Sequence, residues 1–329
     1  MSLAEAGVTV ASIVVVITVT LGHVAYVVYF ERKVIAHMQG RLGPMRVGPH
    51  GLLQPIADGV KLFFKEDIIP STADKAIFYF APAVAVFAAI SALAVMPFSS
   101  GFVIARIDIG LLYVLALSSV GAYGVILAGW SSNSKYSFLG ALRSAAQVVS
   151  YEIAMGLSLV GVIMLAGSTN LGTIVEAQAD YPFVIPQLVG FFVFLMAAIA
   201  ETNRLPFDLP EAETELVAGY VTEYTGMRFG LFFVAEYAGM FVMSAMATVC
   251  FLGGWHGPQL GLLAHVPPLV WFLLKVYGLI FFYFWIRATL PRYRYDQLMG
   301  LGWKVFIPLA MLNIAVTGLA KSWHLLGLG

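Results

Sequence analysis

VTVASIVVVITVTLGHVAYVVYF, residues 8–30, contains no Asp, Glu, Lys or Arg. Crossing a bilayer core takes about 20 apolar residues of helix, so this stretch is long enough to span one. Only Glu5, and no basic segment, precedes it, so it reads as a retained span rather than a cleaved signal peptide. Seven further stretches meet the same test, at 76–98, 109–130, 144–167, 183–200, 229–255, 266–286 and 305–323. Composition agrees: 60% of the 329 residues are hydrophobic, only 11% are charged and mean hydropathy is +0.88, as in a chain whose main solvent is lipid. The apolar and polar alternation of a membrane β-barrel is absent, so helices must satisfy the backbone. The expectation is an all-α polytopic transmembrane bundle of about eight spans, one membrane domain over residues 1–329.

The net charge of zero conceals a strong asymmetry. Of the 18 Lys and Arg, all but Arg106, Lys275 and Lys321 fall in the segments after the first, third, fifth and seventh spans. The positive-inside rule puts those segments in the cytoplasm and both termini on the outer side. Three of them are long: a loop at 31–75, an acidic loop at 201–228 and a basic loop at 287–304. In the first, the Gly and Pro punctuation of GPMRVGPHG precedes Leu53, Ile56, Val60 and Phe63 at helical spacing, with Gln54, Asp58, Lys61 and Lys65 around them. That pattern predicts an amphipathic helix, either lying on lipid headgroups or covered by a partner. No Gly/Ser linker, soluble domain or internal repeat interrupts the chain.

Several chemistries are excluded by what is missing. A lone Cys250 cannot hold an iron-sulfur cluster, and no CxxC or CxxCH offers haem attachment. There is no HExxH, GxGxxG or GxxxxGK[ST], so neither a metal nor a nucleotide site is expected, and nothing points to nucleic acid. His23, alone in the first span, reads as a hydrogen-bonded packing residue. Electrons, if any pass nearby, come from other chains.

The informative residues are the ionisable ones inside spans. Glu152 and Glu236 lie seven or eight residues into the fourth and sixth stretches, Glu201 closes the fifth from the opposite direction, and Lys275 falls near the middle of the seventh. A charge at mid-bilayer costs about 2.5–3.5 kcal/mol on insertion scales and therefore faces a bundle interior or wet cavity. Carboxylates at matched depth read as an ion path; the alternative is a buried pair with Lys275 or Arg143 that only fixes packing. The run ETNRLPFDLPEAETE, residues 201–215, extends the acidic series. Pro210, Glu211 and Glu213 suit the first turn of a helix. Capping does not require Glu215 and Glu223 as well, with only Arg204 and Arg228 to offset them. An acidic funnel feeding Glu201, Glu152 and Glu236 is the sharper reading.

Four segments carry a wider likeness: ERKVIAHMQGRLGPMRVGPHGLLQPIADGVKLFFKED, GWSSNSKYSFLGALRSAAQVVSYE, AETNRLPFDLPEAETELVAGYVTEYTGMRFGLFFVAEY and WIRATLPRYRYDQLMGLGWK. In order and spacing they resemble the quinone-site membrane subunits of respiratory complex I, the H subunits of bacterial NADH:quinone oxidoreductase and their mitochondrial counterparts. The resemblance runs from the first span to the last. It implies a chain with no catalytic residue or metal of its own that helps enclose a quinone chamber, quinone being a substrate held at an interface. Flavin and iron-sulfur clusters belong to other subunits. Residues matching the chamber are Glu31, Arg32, Arg41, Phe229, Arg287, Arg292, Arg294 and Asp296. Those matching the acidic proton path are Glu152, Glu201, Asp208, Glu211, Glu213 and Glu236, with Arg143, Arg204 and Lys275 as basic members. Expected partners are the peripheral-arm subunits that complete the quinone site, the antiporter-like and other membrane-arm subunits, and lipid. The expected location is the bacterial inner membrane, or the mitochondrial inner membrane for an organellar chain.

Other functional classes remain open at this point. The same pattern suits the equivalent subunit of a ferredoxin-, F420- or hydrogenase-linked complex. A stand-alone ion transporter would work as a purified chain. A purely structural anchor for the peripheral arm has little use for Glu152 or Glu236.

Overall fold

The computed structural model describes residues 3–210, 216–258, 263 and 265–323. Among them there is no β-strand, and the architecture is the expected all-α bundle. Helix α1 covers Leu3–Met38 and the amphipathic α2 Gln54–Phe64; α3 (Lys75–Ala92), α4 (Gly110–Ser131) and α5 (Lys135–Ala166) follow. A short α6 (Leu171–Glu176) leads to α7 (Leu188–Glu201), α8 (Gly226–Phe251) and α9 (Pro268–Thr289). The last span is composite: α10 (Tyr295–Leu301), a π-helical turn (Gly302–Phe306) and α11 (Ile307–Ser322).

Seven of these stretches are long and apolar enough to cross a membrane. The eighth expected span, 183–200, is shorter: α7 has 14 residues. The cause lies in YPFVIPQ, where Pro182 and Pro186 lack the N–H a helix needs and push their preceding residues out of the α region. Residues 167–187 fold into the bundle instead, and two buried glutamines satisfy polar groups there. Gln178 donates to Val249 O (2.7 Å) and accepts from the amides of Phe183 (3.1 Å) and Gly253 (2.9 Å). Gln187 donates to Thr317 Oγ1 and accepts from Asn313 Nδ2, both at 2.6 Å. Non-helical backbone at membrane depth is tolerated only where protein supplies such partners.

Three helices overrun their apolar stretches. α1 continues through Glu31 and Arg32 to Met38, α5 starts at Lys135 so that Arg143 is helical, and helix resumes at Tyr295 within the expected 287–304 loop. Hydropathy marks where lipid ends, whereas a backbone spiral of good helix formers continues into water.

Since lipid is as apolar as leucine, the helices pack by close approach of small residues. Ala81, Ala85 and Ala88 of α3 meet Gly121 and Gly124 of α4, and a Cβ on Gly124 would sit 2.9 Å from the backbone nitrogen of Ala85. Asp74 caps α3 by accepting from the amides of Ala76 and Ile77. α2 rests on α1 and α8 with its apolar stripe, Ile56, Val60 and Phe63, exposed. Asp58 ties it to Arg32 at 2.9 Å, while Asp67, just beyond it, reaches Arg228 at 2.6 Å.

Candidate functional site

The helical extension of α1 puts Val28, Glu31, Arg32 and Ile35 at i, i+3, i+4 and i+7, which is one helix face. That face borders a cavity of about 720 Å³, closed by Arg41 and Pro44 after α1, Leu205, Phe233 and Tyr237 of α8, and Arg287 at the end of α9. Its volume lies in the range of small-molecule sites.

Glu31, 3% exposed, is the hub of its wall. Its carboxylate accepts from Tyr237 Oη at 2.6 Å, pairs with Arg204 Nη1 at 3.3 Å and is bound by Arg287. Arg204 also reaches Glu236 Oε1 with its Nε at 2.7 Å, and its guanidinium lies 4.0 Å over the Tyr237 ring. Two carboxyl groups and two guanidiniums thus form one row, Glu236, Arg204, Glu31, Arg287, buried at Glu31 and Arg204 and partly exposed at Arg287. Charges removed from water persist only with such pairing. Burial disfavours the charged form of Arg204, but Glu236, Tyr237 and Glu31 outweigh it and hold the guanidinium well above its ordinary value. Asp208, 2.9 Å from Arg292, responds oppositely: burial pushes its carboxyl up despite the arginine.

A second cavity, about 120 Å³ and mostly apolar, joins Glu236 to Glu201 and is also lined by Ser118, Ser144, Thr202, Asn203 and Tyr220. It has room for several waters. Beyond it, Ser118 donates to Glu201 Oε1 at 2.6 Å, and the adjacent Ser119 donates to Glu152. The carboxylates therefore form a series from the large cavity into the bundle, through Glu31, Glu236, Glu201 and Glu152.

The loop that carries Arg204 is clamped from α5. Gln147, 0% exposed, donates to the carbonyls of Ala200 and Phe207, both at 2.7 Å, and so spans the loop from end to end. Tyr293 N donates to Pro206 O at 3.2 Å from the other side.

Of the residues expected around a chamber, Glu31, Arg32, Arg41 and Arg287 line the large cavity. Phe229 stands behind it, its ring 4.7 Å from that of Phe233. Arg292 turns to Asp208, and Arg294 forms an exposed pair with Asp296 at 2.6 Å. They miss the cavity because the chain leaves α9 at Leu290 in extended conformation. On the acidic side, Glu152, Glu201, Glu236 and Arg204 form the series, Asp208 flanks it, and Arg143 is a partly buried residue of α5. Glu211 and Glu213 lie outside the described residues. Lys275 stands apart from the series: its Nζ donates to the carbonyls of Leu252 (2.6 Å), Gly254 (3.0 Å) and His256 (2.6 Å). Those bonds satisfy acceptors at and just beyond the C-terminal end of α8, a favourable place for a cation. Among the described residues, Glu236 has Arg204 as an ion-pair partner.

Sequence reasoning missed Tyr237, Gln147, Ser118 and Ser119. The signal for the serines was present, since two adjacent hydroxyls interrupt the apolar middle of LLYVLALSSVGAYG. Tyr237 directly follows Glu236. Gln147 gave no signal separable from an ordinary polar helix residue.

Fold and site together define an integral membrane protein in which a largely buried row of carboxyl and guanidinium groups opens onto a ligand-sized cavity. The NADH dehydrogenase family profile matches residues 11–318. The chain is 53% identical to an NADH-quinone oxidoreductase H subunit of Geobacter sulfurreducens over 334 residues, covering 95% of this chain and 94% of the relative. It is 52% identical to the H subunit of Magnetococcus marinus, with 97% and 92% covered, and 54% identical to that of Brevibacillus brevis, with 94% and 92% covered. The chain belongs to this family, the H subunits of NADH-quinone oxidoreductase.

Proposed function

We propose that this chain forms part of the quinone chamber of a proton-translocating NADH:quinone oxidoreductase and couples quinone reduction to proton movement through its buried carboxylates. One observation supports the reading above others: Glu31, Tyr237 and Arg287 line the large cavity, and Glu31 binds both of the others and connects through Arg204 to Glu236. A change of charge or hydrogen bonding at a quinone in that cavity acts directly on Glu31. In a site shielded from water, such a change is felt strongly by the neighbouring Arg204 and Glu236. The second cavity, mostly apolar but lined by both Glu236 and Glu201, is the space between those two carboxyls in this reading, and Glu152 continues the series. Phe229, Arg292, Arg294 and Asp296 lie where other subunits would close the chamber, and Glu211 and Glu213 extend the acidic loop. Arg143 and Lys275 belong to the proposed path only as flanking cations.

In this reading the chain has no independent oxidoreductase activity. Flavin and iron-sulfur clusters sit in peripheral-arm subunits docked on the basic face, and antiporter-like subunits receive the coupling along the membrane. The chain resides in the inner membrane with both termini outside. The test is Glu152→Gln in the assembled enzyme in sealed vesicles. NADH-driven quinone reduction and vesicle acidification should both fall; a variant normal in both overturns the coupling role.

A further inference from the structure

The middle of α4 holds two adjacent, partly buried serines, each hydrogen-bonded to a carboxylate on another helix. A helical Ser or Thr ordinarily satisfies itself by donating to the carbonyl one turn back. Thr20 does so to Val16 (2.7 Å), Ser132 to Ala128 (2.7 Å) and Ser244 to Met240 (2.8 Å). Ser118 instead donates 2.6 Å to Glu201 Oε1. Ser119 divides its hydroxyl between Leu115 O at 3.2 Å and Glu152 Oε1.

Adjacent helix positions project about 100° apart, so one serine faces α7 and the other α5. Glu201 and Glu152, from two different helices, are each held to α4 at neighbouring residues. We infer that Ser118 and Ser119 are positioning residues that seat Glu201 and Glu152 side by side against α4, so that the proton path passes from α7 to α5 at this point. The inference rests on the proposed reading of these carboxylates as coupling groups. It adds a specific requirement, one hydroxyl per carboxylate. Ser119 also has its backbone acceptor, Leu115 O, within reach, so its hydroxyl can leave Glu152 without losing a partner.

Thr and Val have nearly the same shape and differ at this position by a hydroxyl, so Ser118→Thr against Ser118→Val, and the same pair at Ser119, isolates the hydrogen bond from packing. The measurement uses the assembled complex in vesicles. Infrared difference spectra across the carboxyl C=O region on adding NADH are recorded with turnover and proton translocation. The Val variants should lose on the order of tenfold in coupled turnover, as for a hydrogen bond to a charged group, with KM for quinone unchanged and the carboxyl bands displaced. The Thr variants should restore both rate and bands. Equal rates and bands in Thr and Val variants overturn the inference. Glu152→Gln in the same preparation separates the two levels. If it pumps normally, the coupling reading falls, whereas if it fails while the Val variants work, only the serine role falls.

Discussion

Arg204 shows what one residue can hold together. It lies in the loop after α7, 173 positions from Glu31, yet pairs with that carboxylate and with Glu236 while stacking on Tyr237. Removing one member of a buried ion cluster leaves its partners charged and desolvated, at a cost of about 3–5 kcal/mol. Arg204→Met should therefore lower the yield of assembled complex at least severalfold and abolish quinone reduction in what assembles. Arg204→Lys keeps the charge but loses the planar fork and the stacking, and should recover assembly more than activity. Native gels with NADH:quinone assays would show this; wild-type behaviour in Arg204→Met would remove the row from the mechanism. Glu236 was legible in sequence, because an ionisable group in an apolar span is conspicuous, whereas Glu31, just past its span, was singled out only by the family resemblance. Their pairing was not: Arg204 comes from a loop, and which of several cations reaches Glu236 depends on how Gln147 folds that loop back.

At the scale of elements, α5 is the post against which the functional loop is set. Gly140 faces the loop backbone so closely that a Cβ would lie 2.8 Å from Tyr220 N and 2.9 Å from Pro210 O. Overpacking of this kind costs about 1–3 kcal/mol when backbone must move. Gly140→Ala should displace the backbone at Pro210 and at Gly219–Tyr220 and slow coupled turnover, while Gly156→Ala on the same helix, with open space around it, should be silent. The comparison is read as turnover per assembled complex; equal rates would show that the loop tolerates the shift. Helix existence was readable from apolar length alone. Helix extent was not, and the reason differs by element: α1 and α5 outrun the lipid on polar residues, whereas Pro186 shortens α7 within an apolar stretch. The same overrun of α1 creates the cavity face, so this misreading concerned the site as much as the fold.

For the whole molecule, the status of α7 decides topology. Seven long helices alone would leave the two ends of the chain on opposite sides; counting α7 as a crossing returns them to the same side. The packing supports the count. Near its start α7 meets the level of Gly161 on α5, where Gln187 and Asn313 approach, and at its end it reaches Gln147, so it runs antiparallel to α5 across the bundle. The remaining depth is filled by residues 167–187 rather than by helix. In the proposed reading, the distribution of Lys and Arg puts the basic loops in the cytoplasm. The single native thiol, Cys250, is fully buried, which makes the assignment directly measurable. Lys135→Cys, exposed at the start of α5, and Asp180→Cys, exposed in the segment before α7, lie at opposite ends of that hairpin. A membrane-impermeant maleimide should label Asp180→Cys in intact spheroplasts and Lys135→Cys only in inverted vesicles. The reverse pattern would invert the chain, and would place the large cavity and its basic rim on the side where no NADH-oxidising arm could dock.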